Sequence, residues 1–149
     1  MSCEKLVGDY FGEVDLLAWL ADLQITEKPE LVRGEDTTYL SNPEKGIELT
    51  FRRSESIKKT DREYPEGALV LSNIRYYGIQ NDEYQPYKER LPLDVSFGEK
   101  RSELVQKFGN PEWTNPSGKK MRWNVGTLLV LALFDDADRM EIFSLQLPT

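Results

Sequence analysis

The chain has 149 residues, 30% charged and 39% hydrophobic, the balance of a globular domain long enough to bury a real core. It carries a net charge of −7, one cysteine and no histidine. That composition leaves no internal disulfide, argues against a structural zinc site and removes the usual general base at neutral pH.

The periodicity predicts a helix over residues 14–23, with Leu16, Leu20 and Leu23 on one face and Asp15 and Asp22 marking a narrow polar stripe, so that the helix is mostly buried. A short strand is expected over 37–40, then a turn at Asn42-Pro43 and Gly46. Ile47, Leu49 and Phe51 alternate with polar residues as a half-buried strand. Residues 52–66 read as a long exposed connection. Residues 68–77 read as a longer strand with Val70, Ile74 and Tyr76 on one face. Residues 78–92 are irregular, with Asp82, Glu83, Tyr84, Pro86 and Tyr87 expected at the surface. A second helix is predicted over 99–108, with Leu104, Val105 and Phe108 inward, Gly109 as C-terminal cap and Pro111 beyond it. Met121, Trp123 and Val125 alternate as a strand that turns at Gly126-Thr127. The apolar run 128–134 fits a central strand covered on both faces, and it is far too short to cross a bilayer. After a turn over 135–138, the last strand runs over 140–147 with Phe143, Leu145 and Leu147 on one face. The first residues contain no apolar stretch of signal-peptide length, so a cytoplasmic protein with Cys3 near a loose terminus is expected.

Two halves share this order. Phe11-Gly12-Glu13 precedes the first helix and Phe97-Gly98-Glu99 the second. Tyr39 then leads to a strand ending at Phe51, and Trp123 to one ending at Phe134, at nearly the same offset. The expected fold is α+β: one domain over 1–149, made of two helix-plus-antiparallel-strand-meander halves, about 9–90 and 91–149, packed as one compact unit. The alternative is that any helix followed by strands has this cadence.

Charge is unevenly placed. Residues 9–36 hold eight acids and two bases, residues 135–149 four acids and one base, and residues 37–134 thirteen acids and fifteen bases. A concentrated acidic surface repels nucleic acid and attracts cationic partners. Candidate partner-binding residues are therefore Glu30, Glu35 and Asp36 of the first acidic segment and Asp135, Asp136 and Asp138 of the last turn. Asp82, Glu83, Tyr84 and Tyr87 join them, because tyrosine offers an apolar body with a polar tip. Solvated loops, a plain hairpin turn and completion of a sheet face are the respective alternatives, and the aspartate spacing does not match a calcium-binding EF-hand loop. The basic stretch Arg52-Arg53, Lys58-Lys59 and Arg62 is diluted by Glu55, Asp61 and Glu63. Trp19, Trp113 and Trp123 are read as packing residues. No nucleophile elbow, phosphate loop or dinucleotide fingerprint is present.

Leu91-Pro92-Leu93, Phe97-Gly98 before a helix, Phe108-Gly109-Asn110-Pro111, Trp123, a strand ending Phe134-Asp135-Asp136 and a final strand ending at Leu147 follow one another in the last part of the chain. This order resembles small bacterial immunity proteins of polymorphic toxin systems, including those of contact-dependent growth inhibition. It is also similar to the helix-then-strands cadence of β-lactamase-inhibitor-like repeats. The resemblance implies a cytoplasmic antidote without catalysis or cofactor that binds and neutralises a cognate toxin domain, often a cationic nuclease, and that needs neither membrane nor nucleic acid. The rival readings are a small-ligand-binding module, an enzyme working through carboxylates, lysine or tyrosine, and a nucleic-acid binder.

Overall fold

The computed structural model describes residues 3–58 and 60–148. Lys59, part of the basic stretch named above, lies outside the described residues. Among the described residues two α-helices, α1 (Val14–Asp22) and α2 (Arg101–Phe108), accompany seven strands: β1 (Thr37–Asn42), β2 (Ile47–Arg53), β3 (Leu69–Tyr77), β4 (Trp113–Thr114), β5 (Lys120–Val125), β6 (Leu128–Phe134) and β7 (Met140–Gln146). All seven form one antiparallel sheet in the order β1-β2-β3-β7-β6-β5-β4. The fold is α+β, as expected. The meander β1-β2-β3 and the meander β5-β6-β7 meet where β3 pairs with β7, Tyr76 opposite Phe143.

One face of the sheet carries the core. Leu40, Leu49, Ile74, Leu145 and Val130 lie in one row across five strands, and Ile47, Tyr76, Phe143 and Ala132 form the next. Leu16 and Leu20 of α1 and Leu104 of α2 pack into the same cluster. Burying a leucine or phenylalanine side chain is worth about 1.5–3 kcal/mol, so this single apolar layer supplies the main driving force for the fold. Trp123 anchors α2: its indole N–H donates to the Gly109 carbonyl at 2.9 Å, and its ring packs against Phe108.

Expectations for α1, Val70 and Cys3 are corrected. Helix α1 buries only Leu16 and Leu20; Val14 and Leu17 are 79% and 41% exposed. Val70 does not share a face with Ile74, because Thr50 opposes Asn73 while Phe51 opposes Leu71, and the extra residue at Ser72 hands the inward position to Leu71. Strand β6, in contrast, is buried on both sides as expected: Val130, Ala132 and Phe134 lie in the core, and Leu129 and Leu131 on the other side are 7% and 8% exposed. Cys3 is not loose: it begins a 3-10 turn, and its Sγ lies 3.0 Å from the Tyr76 hydroxyl. Among the described residues no helix is long and apolar enough to cross a membrane.

Candidate functional site

Strand alternation places the residues between the core positions on the opposite, outer face. Across the sheet these are Tyr39 on β1, Glu48, Thr50 and Arg52 on β2, Asn73, Arg75 and Tyr77 on β3, and Ile142, Ser144 and Gln146 on β7. They continue as Leu129, Leu131 and Leu133 on β6 and Lys120, Arg122 and Asn124 on β5, with Trp113 of β4 opposite Arg122. Both helices pack on the other side, yet the middle of this face is not open: Tyr77, Leu129, Leu131, Ile142 and Ser144 are between 2% and 8% exposed. The strands place four cations here against one carboxylate, and two of the cations are paired with acids from beyond the strands, Arg52 with Asp36 and Arg122 with Glu112.

The middle of the face holds an unusual group of atoms. Asn73 Oδ1, Arg75 Nε and Ser144 Oγ are buried without a hydrogen-bond partner. Ser144 is 2% exposed and sits directly opposite Arg75. Among the described residues Arg75 enters no ion pair. Beside this group, at the Asn73–Gln146 pair, opens a cavity of about 380 Å³ walled by Arg52, Ser56 and Lys58 from the end of β2 and the segment after it.

The other end of the face is closed by the 78–91 segment. Tyr84 stacks on Tyr77 at 4.2 Å and its hydroxyl donates to Glu48 at 3.0 Å. Tyr84 is only 8% exposed, and Tyr87 is half-buried with its ring 4.8 Å from Tyr76. The expectation that both lie exposed is thus overturned. The segment folds back through Tyr87 N–H to the Tyr77 carbonyl at 2.7 Å and Gln85 N–H to the Pro43 carbonyl at 2.8 Å. Burial pushes both phenols up to about 12. Asp82 and Glu83, at the tip of the same segment, are exposed.

The acidic candidates divide. Asp135 Oδ1 accepts from Ala137 N–H and Arg139 N–H and so shapes its own turn. Asp136 pairs with Lys119, and Asp138 with Arg101 at 2.8 Å. Asp36 accepts from Ser56 Oγ and Thr37 Oγ1 at 2.9 Å, which with the nearby Arg52 holds its carboxyl below the usual range. These four carboxylates serve local structure. Among the described residues no three metal-ligating side chains converge. Glu30 and Glu35, by contrast, are exposed, on the loop that leads from α1 to β1. Of the basic stretch, Arg52 pairs with Asp36 at 3.7 Å, and Arg62 clamps Glu13 at 2.8 Å and Asp9 at 3.1 Å while lying over Tyr64. Trp113, read as a packing residue, instead lies exposed at the sheet edge, with the Arg122 guanidinium 5.3 Å from its ring centre.

A second surface lies on the helix side. Val14, Leu17, Ala18 and Ala21 of α1 all face solvent, and Val32 on the following loop is also exposed. Spacings of three and four place these α1 residues along one stripe. They belong to the segment 9–36, which holds eight acids.

No family model matches the chain, and no curated protein matches it. Among solved structures it is similar to a DUF4309 family protein, YjgB, from Bacillus subtilis subsp. subtilis str. 168, with 13% identity over 88% of this chain and 76% of that one and a TM-score of 0.42. A likeness of that degree bears on neither activity nor partner.

Proposed function

We propose that the chain is a non-catalytic antidote of the immunity-protein kind, which docks a cationic toxin domain on the solvent face of α1 and the loop that follows it. The observation that carries this reading is the apolar stripe Val14, Leu17, Ala18 and Ala21 standing exposed within the most acidic segment of the chain. A helix normally buries its apolar stripe, and an exposed one rimmed by charge has the anatomy of an interface centre with a polar rim. Glu30 and Glu35 would speed the encounter with a basic partner, and the stripe would hold it. The resemblance of residues 91–149 to immunity proteins supports the antidote role. A cytoplasmic site of action goes with it.

Co-expression with the polypeptide encoded by the neighbouring reading frame tests the role, with cell survival as the readout. Val14→Lys/Leu17→Lys is expected to weaken capture of that polypeptide at least tenfold while leaving the melting curve unchanged, because both side chains are exposed. Unprotected cells, or a double variant that binds as tightly as the parent, would overturn the reading.

We further infer that the two halves are repeats of one unit. Glu13 Oε2 accepts from Tyr10 N–H at 2.7 Å, and Glu99 Oε1 accepts from Ser96 N–H at 2.5 Å, each three residues back. Each glutamate then binds a cation, Arg62 or Lys107. The segment before each helix forms a single bridge, Tyr10 to Val70 in the third strand of its half and Lys100 to Arg139 just ahead of the corresponding strand. Equivalent positions should have equivalent costs: Glu13→Ala and Glu99→Ala are each expected to lower stability by about 1 kcal/mol. Chemical denaturation checks this, and a null effect at one site alone breaks the equivalence.

A further inference from the structure

We propose that the outer face of the sheet holds an oxyanion site, in which the Arg75 guanidinium and the Ser144 hydroxyl take the phosphate or carboxylate group of a small ligand seated in the adjoining cavity.

The inference begins with the atoms the fold leaves unbonded. A buried polar group normally finds a partner, because losing its water without replacement is unfavourable. Here three such atoms, Asn73 Oδ1, Arg75 Nε and Ser144 Oγ, occur together on two paired strands. Arg75 and Ser144 form one cross-strand pair, and Asn73 and Gln146 form the next outward-facing pair, about 7 Å along the strands. Asn73 and Gln146 also line the cavity. The pair Arg75–Ser144 is not itself in the cavity wall but stands one outward-facing pair beyond it, within the reach of an arginine side chain.

The chemistry of these groups selects the ligand. Guanidinium presents forked N–H donors that match two oxygens of a phosphate or carboxylate, and a serine hydroxyl donates a further bond to the same group. Among the described residues the cavity wall adds Lys58 and Arg52, the latter paired with Asp36 at 3.7 Å, and no carboxylate. Glu48, directly opposite Arg75 on β2, accepts from the Tyr84 hydroxyl, and Asp36 accepts from Ser56 and Thr37. A volume of about 380 Å³ suits a small organic anion rather than a bare ion. Asn73 and Gln146 offer amides to the uncharged part of such a ligand.

This site lies on the face of the sheet opposite α1, so it stands or falls independently of the proposed toxin contact. Calorimetric titration of the full chain with inorganic phosphate, and separately with citrate, tests it and tells the phosphate source from the carboxylate source. Saturable binding of one of them, with Kd of about 1 mM or tighter, is expected. Arg75→Gln should weaken it at least tenfold, and Ser144→Ala should also weaken it. Backbone amide shifts should centre on 73–75 and 144–146. The Val14→Lys/Leu17→Lys variant should bind the anion undiminished. Failure of both anions to saturate, equal binding by Arg75→Gln, or shifts confined to the helices would overturn the site.

Discussion

Gly46→Ala is expected to lower stability by about 3–5 kcal/mol and to release the 78–91 segment from the sheet. Two causes act together. Gly46 has φ +70° at the end of the 3-10 turn Pro43–Lys45, a left-handed conformation that costs a residue with a Cβ about 1–2 kcal/mol. The added carbon would also fall onto the carbonyl oxygen of Gln85 and within 2.7 Å of the Tyr87 amide nitrogen. Neither backbone atom can retreat cheaply, because Gln85 N–H is bonded to the Pro43 carbonyl and Tyr87 N–H to the Tyr77 carbonyl. The β1–β2 turn and the 78–91 segment are thus locked backbone to backbone. Gly34 supplies the control: it has φ +89° and open space around its would-be Cβ, so Gly34→Ala should show only the conformational cost. Urea denaturation gives the magnitudes. Amide exchange at 81–87, faster in Gly46→Ala than in Gly34→Ala, locates the damage. Equal stability of the two variants would show that the close approach is unimportant.

Gly46 was legible in the sequence as a turn residue, but its contact with Gln85 was not. That difference describes most of what the sequence could and could not show. Both helices and the six longer strands follow from local period: Leu16 and Leu20 on one helix face, and Met121 and Trp123 two apart on a strand. Departures came wherever a distant segment decides the surroundings. Tyr84 sits in a polar, proline-bearing stretch and reads as exposed, yet its ring stacks on Tyr77 and its hydroxyl reaches Glu48, thirty-six residues away. The bulge opposite Thr50 and Phe51 turns Val70, still fully buried, away from the side of Ile74, and no composition rule marks the extra residue. The two-residue strand β4 exists only as a partner for β5. The acidic turn showed its carboxylates plainly, while Lys119 and Arg101, which occupy two of them, come from other parts of the chain.

The outer face was hidden for the same reason. Strand alternation indicates that Arg75 and Ser144 point away from Ile74 and Phe143, but only the β3–β7 register sets them side by side, sixty-nine positions apart in the chain. The basic character of the middle region was visible as fifteen bases against thirteen acids. The sheet sharpens that small excess by gathering Arg52, Arg75, Lys120 and Arg122 onto one side. Acids along α1 and cations across the outer face of the sheet place charges of opposite sign on two sides of the molecule, the arrangement that the two proposed ligands require.

Substituting the two central residues of that face should therefore stabilise the free protein, the reverse of the usual effect of a change at a buried position. Ser144→Ala is expected to raise stability by about 1 kcal/mol, because it removes a buried hydroxyl that bonds to nothing while creating no space larger than one oxygen atom. Arg75→Leu should add a similar increment, since the guanidinium has its Nε buried without a partner and makes no ion pair among the described residues, and leucine can fill the same lateral space beside Ser144. Together the changes should raise Tm by about 4–8 °C for a chain of this size. The two residues couple through direct contact across β3 and β7, so the double variant must be measured rather than summed. The same substitutions are expected to abolish anion binding, and that opposition carries the meaning. Polar groups retained at a cost to the empty fold are the mark of a site kept for something that binds. If instead Ser144→Ala and Arg75→Leu both destabilise the protein, their polar atoms are serving the fold itself, and the outer face loses its strongest claim to a ligand.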